Sequence, residues 1–247
     1  MSQPFYRYPG ATNPEVYELE NTLVDPSGRL EAHMEALAPM AGKTVLDIGA
    51  GGGFHAARFA ARAARVFAVE PDPNMRAQLF ARLAAPGVPE AALNKVSVIA
   101  AGAEDIPLAE GSIDIAHARF AYFFGTEAML PGVRLLKRLL APEGHAFLID
   151  NYTHTGLFGQ ICREVYPKWS SAEAQDKALV LYASEGFSLT VVESAWEAPD
   201  RDALRTVVSM EFPDHIDAVM DRVEGAVIPY HFAVHHYCST AYDQRNE

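Results

Sequence analysis

The feature that most constrains the fold is a short apolar strand that ends in a run of glycines. The strand is predicted over 43–48 (KTVLDI), and Gly49, Gly51 and Gly53 follow it at alternate positions. Glycine lets the backbone turn sharply and approach a ligand closely, and the N–H groups of a following helix point at the same place. The segment therefore predicts a strand, a ligand-binding turn and a helix.

Strands and helices alternate regularly from this segment to residue 150. Short runs rich in Val, Ile, Leu and Ala predict strands over 43–48, 65–70, 95–100, 113–118 and 145–150. Patterns with helical spacing predict helices over 55–64, 74–84 and 131–140. Strands that alternate with helices in this way build βαβ units, so we expect a mostly parallel sheet.

The ends of the chain follow other patterns. Residues 1–40 hold Pro and Gly turns and a helical pattern over 30–37, which predicts an N-terminal helical lid. Near the other end, a helix is predicted over 172–184, and strand-like runs follow over 187–196 and 228–240. Two closing strands joined by a long connection predict an antiparallel edge on the parallel sheet. The prediction is therefore a doubly wound α/β fold in one domain.

The charge balance argues against a nucleic-acid partner. The chain has 247 residues, of which 20 are Lys or Arg and 32 are Asp or Glu, giving a formal net charge of −12. Binding along a phosphate backbone usually needs a basic face, and the sequence has no basic stretch long enough to provide one. We therefore expect no nucleic-acid partner.

Cysteine content and apolar run lengths bear on the compartment. Cys162 and Cys238 are the two cysteines, too few for a disulfide framework or a cysteine-rich zinc site. The segment from Met1 to Glu20 is polar and does not resemble a secretory signal. No apolar stretch approaches the roughly 18 residues that a membrane-spanning helix needs. A cytoplasmic location is therefore expected, with no membrane partner.

Two acids beside the glycine turn indicate which ligand it binds. Asp47 lies two residues before Gly49, where a carboxylate would repel a pyrophosphate but would suit an ammonium group. Glu70 ends the second strand, 21 residues after Gly49, and a carboxylate at that distance can accept both hydroxyls of a ribose. An adenosine that carries an amino acid and no phosphate fits both acids together.

Four segments in order resemble one family. VLDIGAGGG at 45–53, AVEPDPNM at 68–75, AEDIPLAEGSIDIAHAR at 103–119 and LLKRLLAPEGHAFLID at 135–150 match motifs of the class I S-adenosylmethionine-dependent methyltransferases, small-molecule type. The resemblance implies a Rossmann-like fold with seven strands and S-adenosylmethionine as cofactor. It also implies methyl transfer to an O, N or C nucleophile of a small molecule. Residues 43–150 would form the cofactor-binding half, and 151–247 the substrate-side helices and closing strands.

The resemblance also implies individual cofactor contacts. They fall on Asp47, Gly49, Ala50, Gly51, Glu70, Pro71, Met75, Ala103, Glu104 and Arg119. Asp47 and the glycine backbone would hold the methionine part, and Glu70 the ribose. Pro71, Met75, Ala103 and Glu104 would lie along the adenine, and the chain at Arg119 and Phe120 near the sulfonium.

One position departs from the family pattern. The family usually has an acid just before Ala103, where it accepts the adenine amino group, and this chain has Gly102. Glu104 or Asp105 could substitute for the missing acid. The adenine contacts are therefore less well defined by the sequence than the ribose contact.

Three other interpretations stay open. The glycine turn could be only a tight loop. It could also belong to an NAD(P)-binding oxidoreductase, because Gly51, Gly53 and Ala56 satisfy the G-x-G-x-x-A pattern, although that pattern begins two residues late. A third possibility is an inactive, cofactor-binding regulatory protein on the same fold.

The sequence does not identify a catalytic residue. Transfer from a sulfonium depends mainly on proximity and alignment, so a base is optional. Polar residues that could face a substrate near the mouth of the site are His117, His154, Tyr122, Tyr152, Tyr6 and Tyr8.

No metal is expected. Asp150-Asn151 resembles the metal-binding pair of cation-dependent methyltransferases, but Arg119 stands where such enzymes need a further acid. We therefore interpret Asp150 and Asn151 as a structural strand end or a substrate contact. His231, His235 and His236 near the C-terminus are interpreted as sheet histidines with structural partners rather than as a zinc site.

Overall fold

The computed structural model describes residues 13–85 and 94–240. Within these ranges the strands form one seven-stranded sheet in the order β3-β2-β1-β4-β5-β7-β6. The strands are β1 Thr44–Ile48, β2 Arg65–Val69, β3 Val96–Ile99, β4 Ile113–Arg119, β5 Leu140–Asn151, β6 Ser188–Glu197 and β7 Val227–Cys238. The pairs β1–β2, β1–β4, β2–β3 and β4–β5 are parallel. This is the mostly parallel, doubly wound sheet that the sequence predicts.

Helices connect most of the strands. They are α1 Pro14–Leu23, α2 Arg29–Leu37, α3 Phe54–Ala60, α4 Pro73–Leu83, α5 Leu130–Leu139, α6 Gly156–Val165, α7 Pro167–Ser170, α8 Ala172–Ser184, α9 Arg201–Glu211 and α10 Ile216–Met220. The start of α4 shows how the local sequence sets an element boundary. Asp72 accepts a hydrogen bond from the N–H of Asn74 at 2.7 Å, and Pro73 occupies the first turn, where its missing N–H costs nothing.

The closing strands are antiparallel, as predicted. The Glu143 N–H donates to the Ser239 carbonyl, and the Tyr152 N–H donates to the His231 carbonyl. The partner number falls as the residue number rises, so β7 runs opposite to β5. The edge strand β6 is likewise antiparallel to β7, because the Ser188 hydroxyl donates to the His236 carbonyl and the Ala198 N–H donates to the Ala226 carbonyl.

The contacts divide the chain into two compact units. Among the described residues, the first comprises 13–33, 151–180 and 191–233, and the second comprises 34–85, 94–150, 181–190 and 234–240. In the first unit, the ring of Phe158 on α6 packs against Trp196, Phe212 and Tyr230. The prediction of a single domain over 1–247, with a lid over 1–40, stays a prediction.

In the second unit, β1 and β4 lie at the centre of the core. Val45, Leu46 and Ile48 of β1 are at most 2% exposed, as are Ile115 and Ala116 of β4. Strands with both faces buried carry continuous apolar runs, which is why these segments were recognisable as parallel strands. A polar side chain in such a strand is therefore unusual.

The predicted and observed elements differ in a few places. The first helix of the alternating region was predicted over 55–64 but ends at Ala60, because the N–H groups of Ala64 and Arg65 already donate to the Lys43 carbonyl. No helix was predicted over α6, α9 or α10, and the segment that holds α9 and α10 was interpreted as a polar connection. In the described part of the chain, no helix combines the length and the apolar character needed to cross a membrane.

Candidate functional site

The glycine turn lies at the carboxyl end of β1, within the second unit. Gly49 has a φ of +70°, and an added Cβ there would lie 2.2 Å from the Cβ of Ala121. The N–H groups of Gly49 and Ala50 both donate to the Val69 carbonyl, at 2.8 and 3.0 Å. The turn is thus held against β2 on one side and against the loop that follows β4 on the other. Only glycine fits at position 49.

Glu70 connects the glycine turn to the turn after β2. Its Oε2 accepts the Gly51 N–H at 2.9 Å, and its Oε1 accepts the Asp72 N–H at 2.8 Å. The side chain is buried, which raises its pKa above the usual glutamate value, and the two backbone bonds act in the opposite direction. Each carboxylate oxygen still has a second lone pair, so Glu70 can accept further hydrogen bonds from a ligand.

Asp47 is buried at the end of β1 and pairs with a histidine of β4. Its Oδ1 lies 2.8 Å from Nδ1 of His117, and both residues are at most 2% exposed. Oδ2 of the same carboxylate is buried, with no hydrogen-bond partner among the described residues. A buried carboxylate oxygen without a partner is costly unless a cation or a donor reaches it.

The residues predicted to line an adenine occupy different environments. Met75 and Ala103 are both about 5% exposed, whereas Pro71 lies at the surface and accepts a bond from Arg76 through its carbonyl. Glu104 is half-buried, and its Oε1 accepts the hydroxyl proton of Tyr122 at 2.7 Å. An added Cβ at Gly102 would meet nothing within 4 Å. That glycine is not required by packing.

The loop after β4 carries backbone strain. Phe120 and Tyr122 have φ angles of +53° and +55°, a region that side chains other than glycine rarely adopt. Between them, Ala121 packs against Gly49, and the Arg119 guanidinium lies 5.1 Å from the Phe120 ring. Strain of this kind costs of order 1–3 kcal/mol per residue and is concentrated at functional sites. The loop adjoins the glycine turn and is a candidate substrate contact.

The Tyr122 hydroxyl fixes this loop from the other side. It lies 2.7 Å from Glu104 Oε1 and 3.0 Å from the Ala128 carbonyl, and it accepts the Gly132 N–H at 3.3 Å. Burial and the Glu104 carboxylate raise the pKa of Tyr122 far above its usual value, so the hydroxyl stays protonated and donates. The sequence did not show this cluster, because its members come from two loops, a short 3-10 helix over Glu127–Met129 and the helix α5.

Other polar residues singled out in the sequence have structural partners. His117, one of the residues that could face a substrate, is 1% exposed and pairs with Asp47. His154 pairs with Asp176 at 3.0 Å, and the Asn151 side chain accepts the hydroxyl of Tyr230. The Tyr152 N–H bonds β7, as described above. Tyr6 and Tyr8 lie outside the described residues.

The three histidines of β7 have three different neighbours. His231 pairs with Thr155 at 2.7 Å, and His236 with His145 at 2.9 Å. The ring of His235 stacks on Tyr182. Across 13–85 and 94–240, no group of three or more His, Cys, Asp or Glu side chains is arranged to hold a metal ion.

Comparison with known proteins agrees with this architecture. A family model described as a methyltransferase domain matches residues 46–148. An uncharacterized methyltransferase of Mycobacterium ulcerans is 40% identical over 77 residues, which span 31% of this chain and 27% of that protein. The chain thus matches only about a quarter of the length of this curated relative.

Solved structures with the same fold cover most of the chain. A SAM-dependent methyltransferase of Aquifex aeolicus has a TM-score of 0.57 at 17% identity, covering 94% of this chain and 99% of its own. The YcgJ protein of Bacillus subtilis has a TM-score of 0.59 at 16% identity, covering 87% of this chain and 99% of its own. At such identities the structures show a shared fold.

Residues 46–148 thus match a methyltransferase domain, and the fold around them is that of solved SAM-dependent methyltransferases. The predictions of a methyltransferase domain, its Rossmann-like fold and S-adenosylmethionine as its cofactor are confirmed. The residues of the site also fit this cofactor. The partnerless Asp47 oxygen suits an ammonium group, and the positive φ of Gly49 keeps side chains away from the turn.

Proposed function

We propose that the chain transfers a methyl group from S-adenosylmethionine to an O, N or C nucleophile of a small molecule. The observation that carries the proposal is the pair of buried carboxylates, Asp47 and Glu70, on either side of the glycine turn. The bound cofactor supplies a methyl group on a sulfonium, which is already an excellent leaving group. The protein then has to bind the cofactor and the acceptor and to align the methyl group with the nucleophile.

The predicted contact residues divide this work among them. Asp47 offers a carboxylate oxygen to an ammonium group, and Glu70 offers both oxygens to ribose hydroxyls. The backbone of Gly49, Ala50 and Gly51 lies close to the methionine part. Backbone at this turn suits the role because no side chain intervenes.

The remaining predicted contact residues lie beside the adenine and the sulfonium. Pro71, Met75, Ala103 and Glu104 lie along the adenine, and the chain at Arg119 and Phe120 passes near the sulfonium. Met75 and Ala103 are buried apolar residues, as an adenine face requires. Glu104 is already bonded to Tyr122, so its contact with adenine would use its second oxygen.

A small-molecule acceptor is supported by charge and by the loop after β4. The net charge of −12 disfavours a phosphate backbone, so the proposal includes no nucleic-acid partner. The loop carries Phe120, Tyr122 and Phe124, and the Phe124 side chain is 47% exposed. An aromatic loop of this kind suits a compact organic acceptor. We also propose a single domain over 1–247 and a cytoplasmic location.

The first experiment is calorimetry of the purified chain with S-adenosylhomocysteine and, separately, with NAD. We expect micromolar binding of S-adenosylhomocysteine and none of NAD. The reverse result would favour the oxidoreductase interpretation and contradict the proposal. Glu70→Gln keeps the side-chain shape and removes the negative charge. Comparing it with wild type shows whether the Glu70 charge contributes to S-adenosylhomocysteine binding.

Methyl transfer is tested next by screening small molecules with a methyl-labelled cofactor. Binding without transfer to any acceptor would favour the regulatory alternative. Once an acceptor is found, turnover should be unchanged in a chelator, because Arg119 stands where a metal site would need an acid. Loss of turnover that magnesium restores would contradict the metal-free mechanism.

A further inference from the structure

Asp47 and His117 form a pair of buried ionisable side chains at the site, and the predicted cofactor contacts do not account for the histidine. The two residues are register partners across β1 and β4. His117 lies in a strand whose neighbouring residues are buried and apolar, and a polar side chain there needs a reason. Its Nδ1 lies 2.8 Å from Asp47 Oδ1.

The pairing fixes which imidazole nitrogen carries the proton. A carboxylate only accepts, so Nδ1 of His117 must be the donor. The ring is held by Phe59 and His55, whose centroids both lie 5.0 Å from its own. These contacts prevent the imidazole from turning away, so the carboxylate is bonded to a donor in a fixed position.

The second oxygen of Asp47 is in a different state. Among the described residues no donor reaches Oδ2, although it is fully buried. The imidazole bonds Oδ1 alone, so the hydrogen bond from His117 leaves Oδ2 without a donor. A buried charge of this kind is stabilised by a cation that arrives with a ligand. The ammonium group of an amino acid is such a cation.

We propose that His117 is a positioning residue: it holds Oδ1 of Asp47 so that Oδ2 faces the ammonium group of the bound cofactor. This inference rests on the proposed function, because it takes the amino-acid part of S-adenosylmethionine as the ligand group. His117 itself touches no cofactor. Its effect is therefore confined to ligands that carry the ammonium group.

That restriction gives the test. S-adenosylhomocysteine carries the amino acid, and 5′-methylthioadenosine keeps the nucleoside and sulfur without it. Calorimetry measures both ligands on wild type, His117→Asn and His117→Gln. The Asn amide can place an N–H near the position of imidazole Nδ1, whereas the Gln amide reaches towards the position of Nε2. The two variants have similar polarity and differ in which position they fill.

We expect His117→Asn to bind S-adenosylhomocysteine within about threefold of wild type, and His117→Gln to bind it about tenfold or more weakly. Both variants should bind 5′-methylthioadenosine within about twofold of wild type. Asp47→Asn should show the same selective loss, and adding His117→Gln to it should cause little further change. Equal losses for the two ligands, or equal affinities of the Asn and Gln variants, would overturn the inference.

Failure of the proposed function gives a separate result. If wild type binds neither nucleoside, the proposed function fails and this inference fails with it. If wild type binds both and the variants lose them equally, only the positioning role is wrong. Melting temperatures of all variants without ligand distinguish loss of folding from loss of affinity. The Asn and Gln pair keeps the comparison valid even if an apolar substitution at this position does not fold.

Discussion

Glu70 uses both carboxylate oxygens inside the protein, so its contributions to stability and to binding must be measured separately. It accepts the N–H groups of Gly51 and Asp72, and each bond to a charged acceptor contributes roughly 1.5–3 kcal/mol before the cost of burying the charge. Glu70→Ala should therefore lower the melting temperature of the ligand-free protein. It should also weaken S-adenosylhomocysteine binding about tenfold or more, because ribose hydroxyls lose their acceptor.

Glu104→Ala is the matched control for this substitution. Glu104 accepts from the Tyr122 side chain, and we expect its loss to change affinity less than the loss of Glu70. Equal or greater loss at Glu104 would show that the ribose and adenine contacts are wrongly assigned. The pKa of Glu70 gives a second check, since burial raises it. Wild-type affinity should fall as the pH drops through that raised pKa, because a protonated carboxyl has lost acceptor capacity.

Gly102 offers the opposite kind of test, a gain of binding. An added Cβ there meets nothing within 4 Å, so a side chain fits without displacing a neighbour. If an acid at this position accepts the adenine amino group, Gly102→Asp should tighten S-adenosylhomocysteine binding by about threefold to tenfold. Calorimetry measures the change. Gly102→Ala is the control for the lost backbone freedom, and an Asp variant no tighter than the Ala variant would contradict the assignment.

At the scale of elements, the loop after β4 depends on one hydroxyl. Tyr122→Phe keeps the ring that fills the space beside Gly132 but removes the partner of Glu104, Ala128 and the Gly132 N–H. We expect a loss of about 1–2 kcal/mol in the free energy of unfolding. Denaturant unfolding measures it, and amide hydrogen exchange over 120–132 should accelerate while β1 stays protected.

Glu104→Gln is the control for the loop. The Gln amide oxygen can still accept the Tyr122 hydroxyl, so stability and exchange should stay close to wild type. If Glu104→Gln accelerates exchange as much as Tyr122→Phe does, the charge of Glu104 rather than the hydroxyl bond supports the loop. If neither variant changes exchange, the loop is held by its packing.

The boundaries of the strands and helices show how much of the fold can be predicted from the sequence alone. The strands and their order of appearance were predicted within a few residues for β1 to β4, because buried parallel strands are continuous apolar runs bounded by turn residues. The helix α9 was missed although Leu204, Val207 and Val208 are buried on one face. Most of its other positions are charged or polar, and only tertiary packing shows that the apolar ones are covered.

The candidate site was predictable to the extent that it is local. The spacing of Asp47, Gly49 and Glu70 along the chain, at the ends of two predicted strands, indicates a ligand turn with two acids. The partner of Asp47 was not predictable in this way. His117 lies 70 residues further along the chain and meets Asp47 only through the register of β1 with β4. Contacts that depend on strand register can be predicted only once the pairing of the strands in the sheet is known.

At the scale of the whole molecule, folding stability should depend on pH through buried histidines. His235 is 2% exposed, and its ring stacks on Tyr182 at a centroid distance of 3.5 Å. Burial lowers its pKa from 6.5 to about 4. The protonated form is therefore disfavoured in the folded state, and Tyr182, whose pKa burial raises, stays neutral beside it.

The sign of the effect follows from the proton count. Between pH 6.5 and about 4 the unfolded chain binds a proton at His235 that the folded chain does not, so stability falls as the pH is lowered. At roughly 1.4 kcal/mol per pH unit, this interval corresponds to about 3 kcal/mol, present above pH 6.5 and lost near pH 4. The lowered pKa values of His33 and His145 act in the same direction, whereas the raised pKa of Glu70 acts in the opposite one.

A difference measurement isolates His235 from the other groups. His235→Phe keeps an aromatic ring against Tyr182 and cannot titrate. We expect the free energy of unfolding of wild type to fall more steeply than that of the variant between pH 6.5 and about 4. Urea unfolding at a series of pH values gives both curves, and their difference should change by about 3 kcal/mol across the interval. Parallel curves would show that His235 titrates equally in the folded and unfolded states, so that its burial does not control the acid stability of the protein.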